Sequence, residues 1–257
     1  MAADFHTLLI TGASSGIGAG LAEGYAASGI TLYLIARDEV RLNDVAERCR
    51  AKGARVECAS IDVRDKAAMA AWIQQMDDAS PIDLVIANAG ISTGSFAGGE
   101  TLEAAEAVFD INVNGVINTI HPLIERMKLR GRGQIAIMSS LAGICALPSA
   151  PAYSASKAAV RYYGDGLRGM LAPHYVHVSV LCPGWIVTPL TDKNRFPMPF
   201  IMPVNQAVHI IMRNLAKKKS RVAFPLRLYV ALRLLQVLPV FASDLFFARL
   251  LGDAQKR

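Results

Sequence analysis

The sequence predicts an α/β fold: a doubly wound parallel sheet of about seven strands with helices on both faces. Two observations predict it. Short apolar runs alternate with stretches of helical spacing along most of the chain, which is the signature of right-handed βαβ crossovers. The 257 residues, 53% hydrophobic and 19% charged, are also enough to bury one large core and too apolar for a disordered chain. We expect one domain over residues 1–257: a core at 7–190, a substrate lid and following helix at 191–221, and a helical extension at 222–257.

TLLIT (7–11) is a short apolar run bounded by a glycine turn, read as a buried strand, and GASSGIG leads from it into an Ala/Leu-rich helix ending near Ser28. TLYLIA (31–36) is the second strand. Residues 38–53 have helical spacing and close on a glycine. RVECASID is the third strand, DKAAMAAWIQQM the third helix, and IDLVIANAG (82–90) a fourth strand running into a glycine turn. Helical stretches continue to about Arg130. QIAIMSS (134–140) is the fifth strand, a helix follows from about Ala152 to Leu171, and HVSVLCPG is the sixth strand. A Pro-rich loop, a helix near 204–217 and the short strand RVAF complete the predicted sheet. Internal repeats, low-complexity tracts and linkers are absent from the sequence.

Composition narrows the function. The N-terminal residues show neither a basic region nor a long apolar one, so we expect no signal peptide. Cys49, Cys58, Cys145 and Cys182 form no CxxC pair and no metal spacing, which fits free thiols in a reducing cytoplasm. His174 and His177 straddle a helix end and a strand start and read as structural. The net charge of +6 is uneven: residues 213–257 hold ten Lys/Arg and two Asp, a local balance of +8, and the remaining chain is slightly acidic. Those basic residues are interleaved with Leu, Val and Phe and match no nucleic-acid motif, so a nucleic-acid partner is not expected.

TGASSGIG (11–18) lies where the first strand should meet the first helix. In open parallel sheets ligands sit beyond the carboxyl ends of the strands. Glycine lets backbone approach a pyrophosphate closely, and a helix N-terminus offers free N–H groups and a positive dipole end. The spacing is GxxxGxG (Gly12, Gly16, Gly18), a departure from the commoner GxGxxG fingerprint. The end of strand two should select the cofactor. A carboxylate there accepts a ribose hydroxyl of NAD, whereas an arginine accommodates the 2′-phosphate of NADP. The chain has Arg37 followed by Asp38, so NADP is favoured while NAD stays open; Asp38 is either an N-cap or a ribose ligand.

YSASK places Tyr153 and Lys157 four apart, on one helix face. A phenol with its usual pKa of about 10 is a poor acid–base group near neutrality. A nearby ammonium favours the phenolate, so the pair is a plausible proton-transfer device. Taken alone, a half-buried Tyr beside a solvated Lys is the commoner explanation of this spacing.

Together these motifs resemble the classical short-chain dehydrogenase/reductase family over roughly residues 7–190. TGASSGIG, Asp62-Val63, NAG (88–90), Asn112 in INVNG, Ser140 in SSLAG, YSASK and PGWIVTP (183–189) occur in order. The resemblance implies a Rossmann-like fold and catalytic roles for Asn112, Ser140, Tyr153 and Lys157. Ser140 would bind the substrate oxygen, Tyr153 would pass the proton, Lys157 would hold the nicotinamide ribose and tune Tyr153, and Asn112 would hold a relay water. It also implies cofactor contacts at Gly12, Ser14, Ser15, Gly16, Ile17, Gly18, Arg37, Asp62, Val63, Asn88, Ala89, Gly90, Pro183, Gly184, Ile186 and Thr188. No metal is implied. The expected activity is NADPH-dependent reduction of a hydrophobic ketone or 3-oxoacyl-type carbonyl. The alternatives are an NAD-dependent secondary-alcohol dehydrogenase and, remotely, a non-catalytic nucleotide sensor. Homodimers or homotetramers are usual for the family.

The substrate side should be built from loops 91–99, 141–150 and 190–203. The last of these reads as a lid whose apolar inner face carries Met198, Phe200, Ile201 and Met202. The C-terminal segment is apolar and studded with Arg227, Arg233 and Arg249. Its longest uncharged run, 234–243, has ten residues and contains Pro239, short of the roughly 20 needed to span a bilayer. Two short helices hinged at Pro239 are expected. With the KKKSR run (217–221) they could lie on an anionic membrane, cap the pocket or form a subunit interface.

Overall fold

A computed structural model describes residues 5–92, 100–192, 198–239 and 241. The strands are β1 (Thr7–Thr11), β2 (Thr31–Ala36), β3 (Arg55–Ser60), β4 (Leu84–Ala87), β5 (Gly133–Met138), β6 (Val176–Pro183) and β7 (Arg221–Phe224). The helices are α1 (Gly16–Tyr25), α2 (Glu39–Arg50), α3 (Lys66–Ala79), α4 (Leu102–Phe109), α5 (Gly115–Arg130), α6 (Pro151–Leu171), α7 (Val204–Ala216) and α8 (Leu226–Val237). Every strand pair is parallel, in the order β3-β2-β1-β4-β5-β6-β7. The doubly wound sheet expected from the alternating pattern is therefore present.

Strand alternation divides the core into two layers. Leu8 and Ile10 of β1 join one cluster with residues of α1, α2 and α7, while Leu9 joins the other with residues of α3, α5 and α6. β2 splits the same way, Leu32 and Leu34 to the first layer, Tyr33 and Ile35 to the second. A strand covered on both faces has no solvent side, which is why these runs read as continuous apolar stretches. α1 contributes by being small: a Cβ on Gly20 would lie 2.8 Å from both Val204 and Val208, so α7 packs directly on its backbone.

The largest boundary differences lie around residues 100–140. A single turn of π-helix at Asp110–Asn114 separates α4 from α5, and β5 ends at Met138, leaving Ser139 and Ser140 in the loop beyond. β4 spans only Leu84–Ala87, so Asn88, Ala89 and Gly90 also follow their strand. α6 begins one residue earlier than expected, with Pro151 in its first turn, a position where the missing N–H costs nothing. The next backbone amide, Ala152, donates to the Glu100 carboxylate (3.0 Å), a remote cap in place of a local one.

Asp77 ties α3 and α5, two of the second layer's helices, to the segment leading into β4. Its side chain is fully buried at the end of α3 and accepts from the Ile82 amide (2.8 Å), Arg130 (2.6 Å) and Arg126 (2.5 Å), both on α5. Burial alone would raise the carboxyl, but Arg130, the Ile82 amide and Arg126 outweigh it and hold the group below its usual range. A depressed carboxylate stabilises the fold fully above about pH 4 and loses that contribution as pH falls through the native value. We predict that Asp77→Asn lowers the unfolding free energy by about 2–3 kcal/mol near neutrality. The gap from wild type should narrow below about pH 4 in denaturant titrations.

Candidate active site

The sheet order reverses around β1, whose neighbours are β2 and β4. That switch point opens a crevice at the carboxyl ends of the strands. The glycine loop leaves β1 there. Gly12 and Gly16 adopt φ of +67° and +54°, left-handed values that glycine takes without strain. Gly18 is needed for another reason: a Cβ there would stand 2.2 Å from the Gly12 carbonyl, so α1 could not close onto its own loop. The loop is clasped from β4. Asn88 Nδ2 donates to the Thr11 carbonyl (2.9 Å), and the amides of Asn88 and Ala89 donate to Thr11 Oγ1 (3.1 and 3.2 Å). Ser15 begins α1 without a side-chain cap, so the first-turn amides have no internal side-chain acceptor. Thr188 stands over this loop, its methyl 3.1 Å from where a Gly16 Cβ would lie.

The far end of the crevice is ionic. Asp38 Oδ1 accepts the Arg41 amide (3.0 Å) and Oδ2 accepts Arg41 Nε (2.7 Å), so Asp38 caps α2 and is already engaged. Arg37 is largely exposed, with a guanidinium nitrogen 3.9 Å from Asp62. Asp62 bonds Arg64 more closely (2.7 Å), and that contact above all holds its carboxyl below the usual range. Arg37, Asp38, Arg41 and Asp62 all line the cavity. Sequence reasoning missed Arg41; its spacing from the Asp38 cap, on the first turn of α2, was the signal for it.

The opposite end of the crevice converges on α6. Ser140 caps the short 3₁₀ turn Leu141–Gly143 through the Ala142 amide (3.1 Å), its hydroxyl donates to the Pro183 carbonyl (3.4 Å), and it lies near enough to the Tyr153 phenol to favour its ionisation. Lys157 Nζ donates to the Met138 carbonyl (2.9 Å) and lies 5.7 Å from the centre of the Tyr153 ring. The serines inside YSASK are structural. Ser154 accepts the Leu147 amide (2.9 Å) and so pins loop 141–150, while Ser156 bonds Tyr153's carbonyl (2.7 Å) and accepts from Asn112 (3.0 Å). Asn112 sits in the π turn, fully buried, with its remaining polar capacity given to the backbone of Ile91 (2.8 and 2.9 Å). Both Asn112 Oδ1 and Lys157 Nζ press on Gly90, at 3.0 and 3.2 Å from a would-be Cβ.

Electrostatics here differ from the simple pair argument. Burial raises the Tyr153 phenol above its usual value and the neighbouring Ser140 hydroxyl only partly offsets this. Burial also draws the Lys157 ammonium down to about 8. Low dielectric penalises both charged forms. Tyr153 is thus held as a neutral phenol rather than as the phenolate that a lysine neighbour alone would favour.

A cavity of about 1110 Å³ joins the two ends. That exceeds the roughly 300–1,000 Å³ of an ordinary small-molecule pocket. Of the residues singled out from sequence, Gly18 and Asn112 lie outside its lining and Gly12, Ser14, Ser15, Gly16, Ile17, Arg37, Asp62, Val63, Asn88, Ala89, Gly90, Ser140, Tyr153, Lys157, Pro183, Gly184, Ile186 and Thr188 line it. Beyond Tyr153 the described lining is uncharged: Leu141, Leu147, Pro148, Trp185, Leu190 and Pro199, with Leu228 and Leu232 from α8. The lid differs from its expected form. Met202 is buried and its segment bridges to Ile186, but Phe200 and Ile201 turn outward. Residues 93–99 and 193–197 of the substrate loops, and Arg249 of the tail, fall outside the described residues. Among the described residues there is no metal-ligand cluster.

The family model for short chain dehydrogenases matches residues 6–197. This chain is a short-chain dehydrogenase/reductase. It is thereby an oxidoreductase that binds NAD(P). It is 36% identical over 236 residues to an uncharacterised oxidoreductase of Myxococcus xanthus, covering 91% of this chain and 93% of that one. It is 32% identical over 195 residues to the ketoacyl reductase HetN of Nostoc, covering 75% and 68%. Among solved structures, a short-chain dehydrogenase from Sphingobium yanoikuyae in complex with NADPH superposes with a TM-score of 0.80 at 29% identity, over 90% of this chain and 92% of that one. The dinucleotide fits the present residues. The glycine cradle has no side chain to obstruct it, α1 presents uncapped amides, and two arginines stand at the opposite end.

The buried Lys157 yields a prediction about the cofactor-free protein. A lysine whose native pKa is about 8 and whose unfolded pKa is about 10.4 costs stability at all pH values below the native one. That cost fades as pH rises between the two. Lys157→Met should raise the unfolding free energy by about 2 kcal/mol near neutrality, after allowing for the Met138 carbonyl left unpaired. The gain should vanish by about pH 10 in denaturant titrations.

Proposed function

We propose that the protein is an NADPH-dependent reductase of a hydrophobic ketone or 3-oxoacyl-type carbonyl, forming the secondary alcohol. The observation that carries this reading is that Ser140, Tyr153 and Lys157 line one cavity where an uncharged pocket meets the glycine loop. A bound nicotinamide supplies the hydride. Ser140 would donate to the substrate oxygen and stabilise the charge developing on it. Tyr153, held neutral by burial, would deliver the proton. Lys157 would hold the ribose and, once a cationic ring lies near, help the phenolate form. Asn112, committed to Ile91 and Ser156, is assigned the positioning of the Gly90 wall beside Lys157.

The preference for NADPH rests on engagement. Asp38 is occupied as the α2 cap and by Arg41, which weakens it as a ribose ligand. Arg37 has only the long 3.9 Å pair with Asp62, and Arg41, paired with Asp38, keeps the rest of its guanidinium beside it on the cavity wall. The two arginines would hold the 2′-phosphate, alongside Asp62 and Val63 at the adenine. NADPH in the similar Sphingobium structure supports the same choice, and the similar Nostoc ketoacyl reductase supports a carbonyl substrate.

Fluorescence titration should give tighter binding of NADPH than of NADH. Arg37→Ala and Arg41→Ala should each lose about 10–100-fold for NADPH and little for NADH, the worth of a charge-assisted hydrogen bond. Equal NADH binding by wild type would instead favour the NAD-dependent alcohol dehydrogenase. Tyr153→Phe should cut turnover of hydrophobic ketones by about 10²–10⁴-fold while leaving NADPH binding intact. Full activity in Tyr153→Phe would refute the proton-transfer assignment.

A further inference from the structure

α8 is apolar on two opposite sides. Its inner side seals the cavity: Leu228 and Leu232 line it, and with Tyr229 they pack on Leu141, Ile144 and Cys182. Gln236 also donates to the Ile144 carbonyl. The outer side has no partner within the described residues. Leu226, Leu234 and Val237 are 68%, 63% and 78% exposed, and Val230 is also open to solvent. At about 100° per residue these four fall in one stripe roughly 80° wide. Arg227 lies on one border of that stripe and Arg233 on the other, both exposed. Residues 213–239 contain no Asp or Glu at all.

We propose that the outer face of α8 docks on an anionic lipid bilayer, with the stripe in the acyl boundary and Arg227 and Arg233 at the headgroups. Large side chains exposed in a row cost free energy unless covered, and two flanking guanidiniums specify a cover that is apolar within and negative at its edge. A second copy of this chain does not meet that description. Two α8 faces together would set four arginines against one another with no carboxylate from this segment between them. The helix lies flat rather than crossing, since no described helix is long and apolar enough to span a membrane. The lysine run 217–219 is not part of this surface: it enters β7, while α8 leaves the other end of that strand. Because the inner side of the same helix lines the cavity, docking would hold that cavity about one helix diameter from the bilayer.

The test is flotation of the full-length protein with phosphatidylcholine vesicles, with and without phosphatidylglycerol. Cavity-side residues are left untouched, and NADPH binding and thermal midpoint serve as controls of folding. Wild type should partition to the anionic vesicles. Arg227→Gln/Arg233→Gln should lower that partition by about tenfold or more. Leu226→Ser/Leu234→Ser should abolish it while both controls stay at wild-type values. No association of wild type with either vesicle would overturn the proposal, as would equal association of the Leu226→Ser/Leu234→Ser variant. So would a smaller oligomer for that variant in sizing without vesicles, which would identify the face as a contact between copies. Vesicle binding is read without turnover, so its failure and failure of the proposed chemistry are separately visible.

Discussion

Thr11 and Asn88 hold together the two strands between which the sheet changes direction, and the site depends on that clasp. Parallel strands bring all their carboxyl ends to one edge, but only at the reversal does the edge open into a crevice. There the Asn88 amide and the Thr11 hydroxyl take up the backbone groups that the ending strands leave free. The glycine loop is consequently set against the end of β4, with Gly12 too close to Ala89 for any side chain. Every other site residue is placed relative to this junction by the next strand out.

Burial governs the chemistry as firmly as it governs the fold. Tyr153 and Lys157 stand close enough for a charge effect, yet loss of water is the first influence on both. The cofactor-free site therefore holds a neutral phenol next to a weakened ammonium. Under the proposed reduction, a nicotinamide ring would become positively charged as it gave up its hydride, and that charge would shift the balance towards the phenolate. The fold bears the cost: Lys157 is held by one carbonyl and an aromatic face where an apolar residue would pack more comfortably.

The same helix ends that serve chemistry also serve stability. Asp38 begins α2 and accepts from Arg41, which holds Arg41 at the cavity wall beside Arg37. Ser140 caps a 3₁₀ turn and faces Tyr153. Ser154 and Ser156 lock the turn of α6 that presents Tyr153 and Lys157. Polar groups near a site are cheap to keep when each one satisfies a backbone partner.

Strand and helix identity were legible in the sequence because two-sided burial leaves long apolar runs and helix boundaries leave caps. β1 and β2 begin and end where their apolar runs do, since local composition and tertiary burial agree there. The glycine loop and YSASK were legible for a different reason: backbone conformation and four-residue helical spacing are local properties. What local spacing could not supply was the sign of the Tyr153 shift, because desolvation depends on what the rest of the chain packs around it. Nor could it supply the place of Arg41, which bonds Asp38 at the cavity wall. The role of α8 was undetermined by composition, since an apolar helix with arginines can cap a pocket, pair with a copy or meet a lipid. Only the tertiary structure, by turning Leu228 and Leu232 inward against Leu141, decided which side was left to face outward.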